Sequence, residues 1–370
     1  MRVLLLNEVF GTTSTGIICA QIAKQMEADG HEVKVAFGRW SNVPEKYEHF
    51  AFHFGSDFEV KLHGLQTRIF DMHGLGSKRA TKLFLRWADG FNPELLWIHN
   101  IHGYYLNYEL LFRWIKSRPQ MKVKWTLHDC WAFTGHCAYF SMVGCDKWKN
   151  ECRCCPQKSE YPASLLFDNS RVNYCRKQVA FNGVKDLTLI TPSKWLADLT
   201  RDSFLKNYPV EVINNTIEAS VFKPTECDFK KAYGIENRKV VLGVSNAWQE
   251  PRKGLKDFYA LSKMLSDDYV VVLVGLSEDL INTLPANIIG LSKTNSSQEL
   301  AGIYSCAEVF FNPTYEDNFP TVNLEAEACG TRVVTYASGG SSETLTNLQS
   351  IAVDVGDINS AYRQIIRPTA

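Results

Sequence analysis

The segment DNFPTVNLEAEACG, Asp317 to Gly330, sets two carboxylates, Asp317 and Glu325, eight positions apart around a turn and a helix start. Asn318-Phe319-Pro320 is a breaker run, and proline suits the first turn of a helix because its missing N–H would have no partner there. Thr321 to Cys329 then reads as a short helix stopped by Gly330. Unbonded N–H groups at such a start attract an anion, above all a phosphate, which Asn318, Phe319, Pro320 and Thr321 would line. Glu325, about a turn inside, could accept hydrogen bonds from sugar hydroxyls. Arg252 and Lys253, in SNAWQEPRKG, precede a second helix start, where two cations could neutralise a diphosphate. Plainer readings exist for each: a glutamate on a solvated face, an acidic cap, a basic pair at a loop end.

The first half carries its own candidates. His128 ends the strand-like run WTLHD, at the strand end where doubly wound sheets place ligands. His99 and His102, in WIHNIHGYYLN, form a second group, either acceptor-side or structural. The loop NEVFGTTSTG opens a helix at Ile17, with Gly16 removing a side chain where the helix begins. It lacks the GxGxxG spacing, which argues against a dinucleotide cofactor. An ordinary tight turn explains it equally well. Between Cys130 and Cys155 lies a cysteine-rich insert, placed within residues 130–162. Cys137, Cys145, Cys152 and Cys155 could close a structural zinc site, although the spacing is looser than paired knuckles, and a reduced thiol cluster is the alternative.

Positioning these groups requires alternating strands and helices, the pattern of an α/β protein with parallel sheets. Expected strands in the first half are 3–6, 32–36, 95–98, 123–127 and 187–191. The alternation restarts with 209–213, 240–245, 269–275, 287–291, 308–313 and 332–336. An irregular linker near 214–224 suggests domains at 1–215 and 216–370 with a ligand cleft between them. The last residues, from Asp357 to Ala370, look helical and are expected to pack back on the first domain.

The bulk numbers narrow the class. Lys+Arg and Asp+Glu both count 40, so no global field draws the chain to nucleic acid. Hydrophobic residues make up 45% and charged residues 22%, as in soluble globular proteins. The apolar run VLLL is too short for a signal peptide, no stretch is long enough to span a bilayer, and eleven cysteines then suggest a reducing cytoplasm. Lys78, Arg79, Lys82 and Arg86 interleave with apolar residues in SKRATKLFLRW, as in a helix lying on anionic lipid or one half-buried in a core.

The order of NNTIEASVFKP, RKGL, VVLVGL, QELAGIYSCAEVFFNPTYEDNFPTVNLEAEACGTRVV and GGSSE resembles the GT-B-fold retaining glycosyltransferases of family 4. The nearest likeness is to bacterial enzymes of exopolysaccharide, capsule or O-antigen (lipopolysaccharide) synthesis, including the colanic-acid type. The resemblance covers nearly the whole chain. It implies two Rossmann-like domains, the donor held mainly by the second, and retention without a required metal. It implies a nucleotide diphosphate sugar as donor, UDP- or GDP-linked, and a saccharide acceptor expected to be lipid-linked. That places the protein in the cytoplasm, peripheral to the inner face of the membrane.

Site residues follow from the same likeness. Glu325 matches the second carboxylate of the family's Glu-x7-Glu pair, on the ribose, and Asp317 takes the place of the first, with Glu316 just before it. Lys253 matches the diphosphate lysine. The family arginine has no clean counterpart, and Arg252 is the substitute. His128 matches a histidine near the transferring sugar, while Ser193 and Glu343 also match positions near the cleft. No double-displacement nucleophile emerges, so the expected mechanism is same-face, the leaving phosphate helping to take the acceptor proton. Two rivals stand: a nucleotide-sugar epimerase of similar architecture, and a non-catalytic sugar- or nucleotide-binding subunit.

Overall fold

The computed structural model describes residues 1–39 and 42–367. They form two units, Met1–Asn214 and a second beginning at Asn215. The first is built on a seven-stranded parallel sheet: β1 (Arg2–Asn7), β2 (Glu32–Phe37), β3 (Ala51–His53), β4 (Leu95–Ile98), β5 (Lys122–Thr126), β6 (Leu187–Thr191) and β7 (Val210–Val212). The second has six parallel strands: β8 (Lys239–Val244), β9 (Tyr269–Val274), β10 (Ile288–Leu291), β11 (Val309–Asn312), β12 (Val333–Tyr336) and β13 (Ile351–Val353). Helices cross over between strands and cover the sheets, so runs such as KVVLGV and YVVVLV bury apolar side chains on both faces. Each such Val or Leu contributes about 1.5–3 kcal/mol. This is the two-domain α/β architecture of the GT-B fold.

Strand order decides where function can sit. The first sheet runs β3-β2-β1-β4-β5-β6-β7 and the second β10-β9-β8-β11-β12-β13. The chain reverses direction across the sheet between β1 and β4, and again between β8 and β11. At such switch points the loops leaving the carboxyl ends diverge and open a crevice.

Two expectations need adjusting. The edge strands β3 and β13 carry no sequence signal, being three residues each. The first helix begins at Thr13 rather than Ile17, so Gly16 lies inside it. The final helix, Ile358–Ile365, packs on β12, β13 and the helix Leu255–Ser262, and its Ala361 and Ile365 sit in the second unit's core. The Arg332 guanidinium fastens it by donating to the carbonyls of Gln364 and Ile365. Residues 368–370 lie outside the described residues.

Candidate functional site

In the second unit the loop after β8 ends in a 3-10 turn, Pro251–Lys253, and then Gly254 before the helix Leu255–Ser262. Gly254 has φ +71°, and a Cβ there would fall 2.2 Å from the Pro313 carbonyl oxygen, so only glycine lets this loop touch the one after β11. The contact brings the sequence candidates together. Lys253 Nζ lies 2.6 Å from Asp317 Oδ2. Arg252 Nη1 stands 3.9 Å from the same oxygen and donates to the Glu316 carbonyl at 3.1 Å, while Nη2 pairs with Glu250 at 2.6 Å. Burial alone would raise the Asp317 pKa, but the Lys253 and Arg252 charges outweigh it and hold the carboxyl below its usual range. Glu316 is fully buried. Asp317 thus meets both cations.

A second support clamps the same loop. Gly339, at φ +54°, would place a Cβ 1.9 Å from the Asp317 carbonyl oxygen, which also accepts the Gly340 N–H at 3.1 Å. Asn318, Phe319 and Pro320 turn their side chains inward, so their offering to a ligand is backbone. The helix is Thr321–Ala328, with Pro320 as its cap residue and Gly330, φ +88°, just past its end. Asn323 locks it to its surroundings, accepting from Asn312 and donating to Ser341 and Thr344. Glu325 accepts from the Tyr304 hydroxyl at 3.1 Å, and burial pushes its carboxyl up to about 7 against that bond and one from Thr321. Glu327, two positions on, is taken up by Thr346 and Asn347.

The first unit gathers a different set at its switch point. His99 Nδ1 and His128 Nε2 share a hydrogen bond of 3.0 Å. Burial lowers both imidazoles, His128 to about 4, so the pair is neutral. His102 Nε2 lies 2.9 Å from Asp129 Oδ2, and His102 Nδ1 lies 3.1 Å from the Tyr161 hydroxyl. Gly16 is buried, and a Cβ on it would stand 3.2–3.4 Å from Val9 and the Gly11 nitrogen, so it serves to seat the helix on its own loop. Ser193 is buried and caps the helix Lys194–Asp202, accepting the Leu196 N–H.

Residues 227–367 match the family of Glycosyl transferases group 1. The matched stretch lies wholly within the second unit. The chain is 23% identical over 259 residues to the putative colanic acid biosynthesis glycosyl transferase WcaC of Escherichia coli K12, a match covering 68% of this chain and 62% of that protein. Over 128 residues, 32% of each chain, it is 29% identical to the N,N'-diacetylbacillosaminyl-diphospho-undecaprenol alpha-1,3-N-acetylgalactosaminyltransferase of Campylobacter jejuni. In fold it resembles HepE of Anabaena in complex with UDP and glucose, with a TM-score of 0.65, 15% identity, and coverage of 99% of this chain and 89% of that one.

The matched stretch thus contains Arg252, Lys253, Glu316, Asp317, Asn318, Phe319, Pro320, Thr321, Glu325 and Glu343. Sequence reasoning missed Tyr304, which holds Glu325, and gave Gly339 no structural task. In the first unit it missed Asp129 and Tyr161. For Tyr161 no local signal existed, since it reaches His102 from 59 positions away.

Cys137, Cys145, Cys152 and Cys155 do line one small cavity, with Phe140 and Trp148. Among the described residues, however, no group of three or more His, Cys, Asp or Glu is disposed to hold a metal ion. The thiols bond otherwise. Cys137 and Cys155 hydrogen-bond to each other, which together with burial drives Cys137 up and brings Cys155 down to about 7. Cys152 Sγ accepts the Gly135 N–H at 3.2 Å. The insert is a packed part of the first unit's core, with Trp131, Phe133, Phe140 and Trp148 buried in it. Buried Lys177 ties it down by donating to the Trp131 and Thr134 carbonyls.

Proposed function

We propose that this chain is a retaining glycosyltransferase that moves a sugar from a nucleoside diphosphate sugar, UDP- or GDP-linked, to a lipid-linked saccharide during surface-polysaccharide assembly. The observation that carries the reading is the meeting of Lys253, Arg252 and Asp317 at the switch point of a group 1 glycosyltransferase domain, beside the helix start at Thr321. Cations and peptide dipoles fixed at that point can stabilise a departing diphosphate without reorganising. Glu325 sits on the same helix, where its carboxylate can take ribose hydroxyls. His128, kept neutral by burial, can hydrogen-bond the transferring sugar. The relative named for colanic acid biosynthesis and the relative whose name includes diphospho-undecaprenol support the acceptor class. HepE in complex with UDP and glucose supports the donor class.

A membrane-facing surface fits a lipid-linked acceptor, and a second candidate lies beside the basic stretch. The helix Lys78–Phe91 buries Ala80, Thr81, Phe84 and Ala88, so its apolar half belongs to the core. The preceding helix, Asp57–Phe70, instead exposes Phe58 (74%), Leu62 and Leu65 at helical spacing, flanked by exposed Lys61 and Arg68. Phe70 stacks on Phe167, and the adjoining Leu165 and Leu166 are exposed as well. Asp57 and Glu59 flank Phe58 in the first turn, while Lys61 and Arg68 lie further along, and apolar side chains beside cations suit the surface of an anionic bilayer. Among the described residues no helix is long and apolar enough to cross a membrane.

The test is a panel of UDP- and GDP-sugars, screened first by thermal shift and then for transfer to lipid extracted from polysaccharide-producing bacteria. Stabilisation by one nucleotide class and radiolabel passing to lipid would support the reading. Interconversion of free nucleotide sugars without an acceptor would replace it with an epimerase, and binding without turnover with a non-catalytic subunit.

A further inference from the structure

His102 follows β4 and Asp129 follows β5, side by side at the first sheet's crevice, and the donor chemistry leaves them without a task. Asp129 Oδ1 accepts the Trp131 N–H, and Oδ2 faces His102 Nε2 at 2.9 Å. An ionised carboxylate only accepts, so Nε2 carries a proton. His102 Nδ1, in the neutral ring, is then an acceptor and takes the Tyr161 hydroxyl proton across 3.1 Å. That fixes the polarity of Tyr161: its oxygen presents lone pairs to whatever approaches. The His102 and Asp129 side chains are 8% and 13% exposed, whereas Tyr161 is 41% exposed, so the tyrosine is the reachable end of the chain. The rings of Tyr104, His73 and His102 stand around it with centroids 6.3, 5.5 and 5.9 Å away. A ring wall with one polar tip is a surface for a sugar, whose C–H face packs on aromatics while a hydroxyl meets the tip.

We propose that Tyr161 receives the nucleophilic hydroxyl of the acceptor sugar, with His102 and Asp129 as positioning residues that draw off its proton. This rests on the transferase reading above. The acceptor O–H proton passes to the Tyr161 oxygen as the Tyr161 proton passes to His102 Nδ1, and Asp129 holds the imidazolium that forms. The acceptor oxygen bonds to the anomeric carbon of the donor sugar. The bond from that carbon to the diphosphate oxygen breaks, and the diphosphate leaves with the electron pair. The proton thus ends on the protein rather than on the leaving phosphate.

The surroundings set the pH response. Burial by itself would lower the His102 pKa, but the Asp129 charge and hydrogen bond, aided by Glu8, outweigh it and raise it, with Lys177 opposing. His73 and His128 also face His102, and Arg39 pairs with Glu8. Transfer by the full chain should rise with pH through a value above the usual imidazole value of about 6.5.

The experiment compares the wild type with Tyr161→Phe and His102→Gln, using the donor selected by the panel and octyl β-glucoside or octyl β-galactoside as acceptor. Expected for both variants is a loss of about a hundredfold in kcat/KM for the acceptor. UDP or GDP affinity should be unchanged, and in His102→Gln the rise with pH should vanish. A Tyr161→Phe enzyme within twofold of wild type overturns the proposal. A wild-type chain that transfers to nothing fails the transferase reading itself. Glycoside binding, read from tryptophan fluorescence, then still decides the assignment of Tyr161: equal affinity in wild type and Tyr161→Phe rejects it, and weakened affinity in the variant upholds it as a sugar-hydroxyl site.

Discussion

The Lys253 ammonium stands 2.6 Å from the Asp317 carboxylate, joining the loops that leave two adjacent strands. The pairing keeps the lysine placed, and under the proposed function an incoming diphosphate competes with Asp317 for that charge. Removing the competitor and removing the cation should therefore act in opposite directions on binding. Asp317→Asn should tighten the hold on free UDP or GDP while slowing transfer. Lys253→Ala should weaken nucleotide binding by about 1.5–3 kcal/mol, the worth of a charge-assisted hydrogen bond. It should cut transfer about 10²–10³-fold, with a melting temperature near wild type. Calorimetric titration and rate measurements check both, and near-normal transfer by Lys253→Ala removes that residue from the role.

Glu325 gives the donor site a pH signature. Burial raises its carboxyl to about 7, well above the ordinary value of about 4.3, so the free protein holds a proton there at pH 6. Under the proposed function, ribose hydroxyls donate to the ionised form and so pull the bound-state value down. Binding then expels a proton. Affinity for UDP or GDP should climb by up to tenfold per pH unit as pH rises towards 7 and level off above it. Glu325→Gln should bind more weakly above pH 7 and lose the dependence. Titration in buffers of differing ionisation heat reads the released proton directly, and a flat profile in wild type contradicts ribose contact by Glu325.

What the sequence disclosed depended on how local each feature is. The run YVVVLV is legible as a strand because a parallel sheet buries it on both faces, while Ala51–His53 and Ile351–Val353 are too short to carry a period. Lys253 and Asp317 stood out because each precedes a helix start, and a helix start has recognisable punctuation. The union of Tyr161, His102 and Asp129 was invisible, since separations of 59 and 27 residues close only through strand order and a folded insert. The zinc reading meets the opposite limit. Spacing put four cysteines on one cavity, but spacing does not tell a thiol hydrogen-bonded to its neighbour from one poised for a metal.

Phe58, Leu62 and Leu65 lie exposed along one helix, and Phe70 stacked on Phe167 continues the apolar surface. Burying a phenylalanine in an apolar medium contributes about 1.5–3 kcal/mol, and Lys61 and Arg68 add attraction to anionic headgroups. The protein should sediment with phosphatidylglycerol vesicles more than with phosphatidylcholine vesicles, and less so as salt rises. The double substitution Phe58→Ser and Phe167→Ser should lower that partitioning at least about tenfold. Transfer to a water-soluble octyl glycoside should survive it. Equal sedimentation of the variant and wild type rejects this face as the lipid contact.

The cysteine-rich segment can be tested through the reactivity of one thiol. Cys155 is partly exposed and brought down to about 7 by its bond from Cys137 and the charge of His136, so it is largely thiolate at pH 8. Cys137 and Cys152 are buried with raised values, the latter to about 11, and so remain protonated. The thiolate is the reactive form, and buried thiols are inert. Iodoacetamide at pH 8 should therefore label Cys155 well before Cys137 or Cys152, as read by peptide mass spectrometry, and prior treatment with EDTA should change neither that order nor the melting temperature. His136 is ion-paired with Asp71 in the interior, 2.5 Å away, so His136→Gln should slow the labelling of Cys155 by removing a nearby positive charge. Were the four cysteines instead metal ligands, Cys155 would resist alkylation until chelation, zinc would be found near one per chain, and chelation would lower the melting point. That combination would reinstate the metal and replace the hydrogen-bonded thiol pair.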